Sequence, residues 1–263
     1  MFRKYLYIVF LIFFCRLQAQ DIFELVELKK EPLKATVFLG VNIYNELFYT
    51  NNQILYKQSK SEKFSYQNNL YGRISNVDLT NSMQSTLFFI DFNTVVQLDR
   101  WLGEVNLIDL NKSNTFSSIN YVATASNNRL WVFNGDTQQL QVYNPNQDII
   151  EASTQSIQQR VIDIYSNYNF CWVLTKSKLL QFNSYGIQLN AYDLENYESF
   201  NFYKNSFLLL KNNKLFIFSE NIKTPKLLIL PKLTIKDFSV TNETLYIYDG
   251  KDLSSFKINR KID

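Results

Sequence analysis

An all-β chain built from six copies of one four-stranded antiparallel unit is predicted by three observations. The first is a hairpin. Asn128–Pro145 reads NRLWVFNGDTQQLQVYNP, two apolar runs, Leu130–Phe133 and Leu140–Tyr143, around the turn Asn134-Gly135-Asp136. Gly and Asn accept positive φ and Asp bonds back onto its own backbone, which suits a tight turn; the β-branched and aromatic flanks suit a pleated surface. The second is recurrence. With Leu130 as a register mark, equivalents fall at Leu47, Leu87, Cys171, Phe207 and Leu245, so successive gaps are 40, 43, 41, 36 and 38 residues. The third is that the chain shows no sustained helical periodicity, no linker and no low-complexity tract.

A strand repeat of about 40–45 residues marks one blade of a propeller, four strands to a blade. The predicted fold is therefore a six-bladed β-propeller of four-stranded antiparallel blades. Inner strands are expected at Ala35–Val41, Ile74–Thr80, Ile119–Ala125, Val161–Ser166, Ser199–Lys204 and Ile235–Val240. The hairpins at the register marks supply the middle strands. Outer strands are expected at Lys63–Gln67, Glu104–Asp109, Ile149–Thr154, Ile187–Tyr192 and Lys226–Leu230. The sixth blade lacks its own outer strand, and Ile22–Leu28 is expected to complete it beside Leu253–Ile258 and close the ring, removing a long unpaired edge. Pro32 is expected in the link that follows, where its missing N–H costs little.

Residues 1–20 read separately from the propeller, which takes 21–263. Arg3 and Lys4 precede the apolar run Tyr5–Phe14, and Arg16-Leu17-Gln18-Ala19-Gln20 ends it. This is a secretory signal peptide pattern with cleavage after Ala19 or Gln20, because the run is about ten residues and a bilayer span needs about 20. The residues before Cys15 are too bulky for a lipoprotein signal. The expected address is periplasmic or extracellular, with no transmembrane span in the mature chain.

The chain carries 27 Lys and Arg against 24 Asp and Glu, and the leader's Arg3, Lys4 and Arg16 account for the whole excess. A formally neutral mature chain has no net field to draw phosphate, so nucleic acid is not expected as a partner. Only Cys171 remains after cleavage, in the apolar run Phe170–Leu174, and reads as a buried, inert thiol. The chain contains no histidine, which removes Ser-His-Asp and Cys-His catalysis and imidazole metal sites. Its six glycines are too scattered for a phosphate loop.

The inner-strand-plus-hairpin text, INYVATASNNRLWVFN and VIDIYSNYNFCWVLT, resembles the repeats of six-bladed, NHL-like propellers and is similar to those of bacterial periplasmic propeller scaffold proteins, over residues 22–259. WD dipeptides and quinone-cofactor signatures are absent. The resemblance implies architecture, and with it a non-catalytic scaffold or protein-interaction role in the bacterial cell envelope. The expected partner is another envelope protein, and the expected state a monomer without a cofactor. No family residues carry over.

Three groups of residues are candidate sites. Asp78, Asp163 and Asp237 precede their register marks by nine, eight and eight residues and are expected to converge at the pore. Such a set holds Ca²⁺, as in six-bladed lactonase-type metal-dependent hydrolases, although the other blades present Leu39, Val122 and Ser199 there. The second group is the ring of hairpin turns with Asn134, Asp136, Lys176, Lys178, Lys211, Asp249 and Lys251, whose lysines suggest a basic sector for an acidic partner. The third is Trp101 beside Arg100, an interface anchor or, with other exposed aromatics, a platform for carbohydrate binding. The bland readings are a polar water-filled channel, ordinary solvated turns and a tryptophan tucked under the next blade.

Overall fold

The structure, a computed structural model, describes residues 22–112, 116, 118–220 and 222–261. The predicted leader lies outside the described residues. The chain begins with β1 (Ile22–Pro32). Blade 1 comprises β2 (Val37–Val41), β3 (Leu47–Asn51), β4 (Ile54–Gln58) and β5 (Lys63–Tyr66). Blade 2 comprises β6 (Ile74–Asp78), β7 (Ser85–Phe89), β8 (Thr94–Leu98) and β9 (Glu104–Asp109). Blade 3 comprises β10 (Ile119–Thr124), β11 (Leu130–Asn134), β12 (Gln139–Asn144) and β13 (Ile149–Ser153). Blade 4 comprises β14 (Val161–Ser166), β15 (Phe170–Thr175), β16 (Lys178–Asn183) and β17 (Gln188–Asp193). Blade 5 comprises β18 (Ser199–Tyr203), β19 (Ser206–Lys211), β20 (Lys214–Ser219) and β21 (Ile222–Leu227). Blade 6 comprises β22 (Asp237–Thr241), β23 (Thr244–Tyr248) and β24 (Asp252–Lys261), completed by β1 in the order β1-β24-β23-β22.

The middle strands are apolar without alternation because both of their faces are covered by neighbouring blades. In β11, Leu130 and Val132 pack into the seam between blades 2 and 3, while Trp131 and Phe133 pack into the seam between blades 3 and 4. In β15, Cys171 and Val173 face blade 3, and Trp172 and Leu174 face blade 5. This is the period of two expected of a strand, carried through two cores at once. Each blade-to-blade seam has its own buried cluster; the one that closes the ring joins Phe38, Val41 and Tyr49 of blade 1 to Tyr248 and Leu253 of blade 6. The Cys171 thiol is fully buried, and burial raises its pKa well above the usual value, as the inert reading requires.

Asparagine takes the place of glycine in the turns. Asn52, Asn127, Asn128, Asn212, Asn213 and Asn242 all have positive φ, which Asn tolerates better than other non-glycine residues. At Gly186 (φ +76) space demands glycine, since an added Cβ would sit 2.6 Å from the Ser153 carbonyl oxygen.

Three expectations need correction. The closing strand runs on to Pro32, which pairs with Asp252 at the end of β1 and is not in a link; β1 is an outer edge strand, where an absent N–H is tolerated. The outer strand of blade 5 is Ile222–Leu227 and not Lys226–Leu230. Pro225 sits inside it, again on an edge, and Leu228 is core beyond the strand end. Asn134 does not belong to an exposed turn surface: it is buried, its Oδ1 accepting the Asp136 and Thr137 amides.

Candidate functional site

The six inner strands line the axis, where no sheet ladder joins one blade to the next. Their backbone groups find partners instead in side chains of the adjacent inner strand. The Asp78 carboxylate accepts the Thr124 amide of blade 3 at 2.6 Å and the Thr80 amide at 2.8 Å. Asn76 Nδ2 donates to the Val122 carbonyl at 2.8 Å. Ser166 Oγ donates to the Thr124 carbonyl at 2.6 Å, and Thr80 Oγ1 to the Ser166 carbonyl at 3.1 Å. Tyr121 Oη reaches the Ile162 carbonyl at 2.6 Å. The Asp163 carboxylate accepts the amides of Ile164, at 2.9 Å, and of Phe200 in blade 5. Asn201 Nδ2 donates to Phe238 at 3.3 Å, Asp237 accepts the Phe38 amide at 3.1 Å, and Thr241 Oγ1 donates to the Val41 carbonyl. Every buried main-chain group needs a partner, and these side chains supply several.

The expected convergence of Asp78, Asp163 and Asp237 is not what the structure holds. Asp163 lies opposite Leu174 and Asp237 opposite Tyr248, each early in its strand, whereas Asp78 lies opposite Thr86 at the far end of β6. Counting back from the register mark misplaces Asp78 because six residues separate β6 from β7, against three between β14 and β15. Among the described residues no three His, Cys, Asp or Glu are gathered as a metal ion would require. Burial pushes the Asp163 carboxyl up to about 7, the Phe200 and Ile164 amides opposing it. Asp237 is raised in the same way, with the Phe38 amide and Lys236 opposing.

Asp78 alone of the three borders a cavity of about 340 Å³ on the axis, lined by residues of all six inner strands. Its charge is the only formal charge in that lining among the described residues. Asn76 Oδ1, also at the wall, is buried without a hydrogen-bond partner among the described residues. Tyr165 borders the cavity with its phenol raised to about 12 by burial and then by the charge of Asp78.

In an antiparallel blade, first-to-second and third-to-fourth turns share one end and second-to-third turns the other. The cavity opens at the first end, where Ile43, Tyr44 and Met83 are 55%, 58% and 50% exposed. Trp101, 57% exposed and not tucked under a blade, stands in the third-to-fourth turn of blade 2 at this same end, the Arg100 guanidinium 4.5 Å over its ring.

The predicted basic sector lies at the opposite end, and the structure mixes its charges. Lys178 Nζ is 3.6 Å from Asp193, Lys211 Nζ donates to the Glu195 carbonyl at 2.8 Å, and Asp249 accepts the Lys251 and Asp252 amides. Asp136 accepts the Ser118 amide at 3.0 Å, while Lys176 and Lys251 are exposed. Sequence reasoning missed the rim residues Ile43, Tyr44 and Met83, although an Ile-Tyr pair between Asn42 and Asn45 in a turn was the available signal.

No family model matches the sequence, and no curated protein does. Solved structures match its shape. A streptogramin B lyase superposes with a TM-score of 0.61 at 10% identity, covering 91% of this chain and 98% of its own. BamB from Moraxella catarrhalis gives 0.55 at 8% identity, over 89% and 100%. The Cps50 (Swd1) β-propeller domain of Myceliophteria thermophila gives 0.65 at 8% identity, over 90% and 100%. Identity this low speaks for the fold alone, and the chain is a six-bladed β-propeller.

Proposed function

We propose that the chain is a non-catalytic propeller that acts as a protein-interaction or scaffold module in the bacterial cell envelope, exported by its signal-peptide-like first twenty residues. The observation that carries the reading is the exposure of Ile43, Tyr44 and Met83 in the turns at the end where the axial cavity opens, Ile43 itself lining it. Exposed apolar groups presented by turns of a rigid frame favour macromolecular contact. A non-catalytic role is further supported by the inner-strand carboxylates, which accept main-chain amides across the blade seams. The ring is shared with a streptogramin B lyase, so shape by itself does not decide between binding and catalysis.

Site-specific photocrosslinking in the native cell tests the proposal. A crosslinker at Tyr44 or Met83 is expected to trap one discrete envelope protein, and one at Phe92 or Lys176, on the opposite end, to trap none. Replacement of Ile43, Tyr44 and Met83 by Ser removes the adduct. Equal labelling from both ends, or none from either, refutes the reading.

A further inference from the structure

We propose that the axial cavity is an alkylammonium site, which takes a primary amine cation either free or at the tip of a lysine side chain. The inference comes from the charge of the wall. Five lining side chains, Asn76, Thr80, Ser166, Asn201 and Thr241, commit a donor to main-chain carbonyls, and Ser82, Ser239, Asn242 and the Tyr165 hydroxyl complete a polar but otherwise uncharged lining. The Asp78 carboxylate accepts two amides, and a carboxylate has about four lone-pair sites. Among the described residues no lysine or arginine lines the cavity to neutralise it.

An anion is repelled by the Asp78 charge, with no cation in the described lining to hold it. A neutral alcohol satisfies some acceptors and leaves the charge alone. An ammonium offers three donors on one compact positive charge, the complement of this wall. The Tyr165 ring adds an aromatic surface of the kind cations favour. A volume of about 340 Å³ equals about ten waters at ~30 Å³ each, enough for an amine and its alkyl stem. The rim residues Ile43, Tyr44 and Met83 suit the apolar part of whatever carries the amine. The site rests on the cavity and stands whether or not the interaction reading does.

The test is calorimetric titration of the full chain, at matched ionic strength, with n-pentylammonium, 1-pentanol and pentanoate. Pentylammonium is expected to bind one to one, the alcohol and the acid at least about tenfold more weakly, the worth of one charge-assisted hydrogen bond. Asp78→Asn is expected to weaken pentylammonium about tenfold or more. Because Asp78 also ties Thr124, a second pair of variants keeps it intact. Leu39 lines the cavity and is half-buried. Leu39→Lys places a tethered ammonium there and is expected to keep a Tm near the parent while abolishing pentylammonium binding; Leu39→Glu is expected to unfold many degrees lower. Equal binding of pentanol, preference for pentanoate, displacement by sodium or potassium ions at equal concentration, no binding at all, or equal damage from Leu39→Lys and Leu39→Glu each overturns the proposal. A Leu-Lys-Leu peptide that binds more tightly than pentylammonium supports a lysine-bearing partner, and one that binds less tightly supports a free amine.

Discussion

Asp163 sets a pH dependence that can be calculated in advance. Its carboxyl, ordinarily near 3.8, stands at about 7 in the folded protein because burial disfavours the charged form and no basic group offsets it. Between those two values the folded chain holds a proton that the unfolded chain has released. Stability from this group is therefore fully present below about pH 4 and is lost as pH rises through about 7. A displacement of about three units at 1.36 kcal/mol each gives a ceiling of about 4 kcal/mol. Asp163 still touches solvent, which relieves part of the penalty, so about 2–4 kcal/mol is expected. For a domain of this size that is about 5–15 °C in Tm.

The perturbation is Asp163→Asn, which removes the charge and keeps one acceptor for the Ile164 and Phe200 amides. The assay is thermal unfolding of parent and variant from pH 5 to pH 8.5, which covers about two of the three units and so at most about 2.7 kcal/mol of the difference. The lost second acceptor makes the variant slightly less stable in acid; the diagnostic is the difference between the curves, which must move in favour of the variant as pH rises. With no histidine in the chain, no side chain has its ordinary pKa between pH 5 and 8, and the window is clean. Asp237, raised by burial with the same sign, is common to both proteins and cancels in the difference. Parallel Tm–pH curves for the two proteins would refute the argument.

Three further outcomes follow from the packing. Lys57 is buried, with Glu46 at 2.9 Å and the Arg100 carbonyl at 2.6 Å, so Lys57→Met is expected to cost about 3 kcal/mol in urea unfolding, and adding Glu46→Gln to recover part of it. Trp131 is fully buried with its Nε1 unpartnered among the described residues, so Trp131→Ala is expected to lose about 3–5 kcal/mol and Trp131→Phe far less, by the same measurement. Val26 faces Lys257 across the closing pair of strands, so Val26→Cys with Lys257→Cys is expected to form a disulfide that raises Tm on oxidation by about 4 kcal/mol equivalent; failure to oxidise counts against the strand pairing.

The fold was legible where burial on two faces wrote itself into unbroken apolar text. β11 and β15 lie on the expected apolar runs, and β1 closes the ring beside β24 as expected. Edge strands were legible unevenly: Glu104–Asp109 matches its observed strand end to end, but an edge forgives what a central strand forbids, and Pro32 and Pro225 lie inside strands for that reason. The candidate carboxylates were misjudged for a different reason. Spacing from a hairpin specifies depth along an inner strand only if the intervening turn has constant length, and the turn after Asp78 does not.

That failure bears on how polar residues at a ring axis are to be understood. Six inner strands meet there without ladders between them, so the ring needs side-chain donors and acceptors at its seams whether or not it binds anything. An Asp, Asn, Ser or Thr in that position is therefore no sign of a ligand by type. Asp163 and Asp237 show the seam role in nearly pure form, each accepting an amide of the next blade away from the axial cavity. Asp78 and Asn76 serve a seam too, but both also border the cavity, and Asp78 brings it the one formal charge of the described lining. It is this negative charge, with no cation in the described lining to meet it, that separates a binding wall from a structural one. No count of polar residues along the sequence contains it, because it depends on which side chains the six inner strands bring to one cavity.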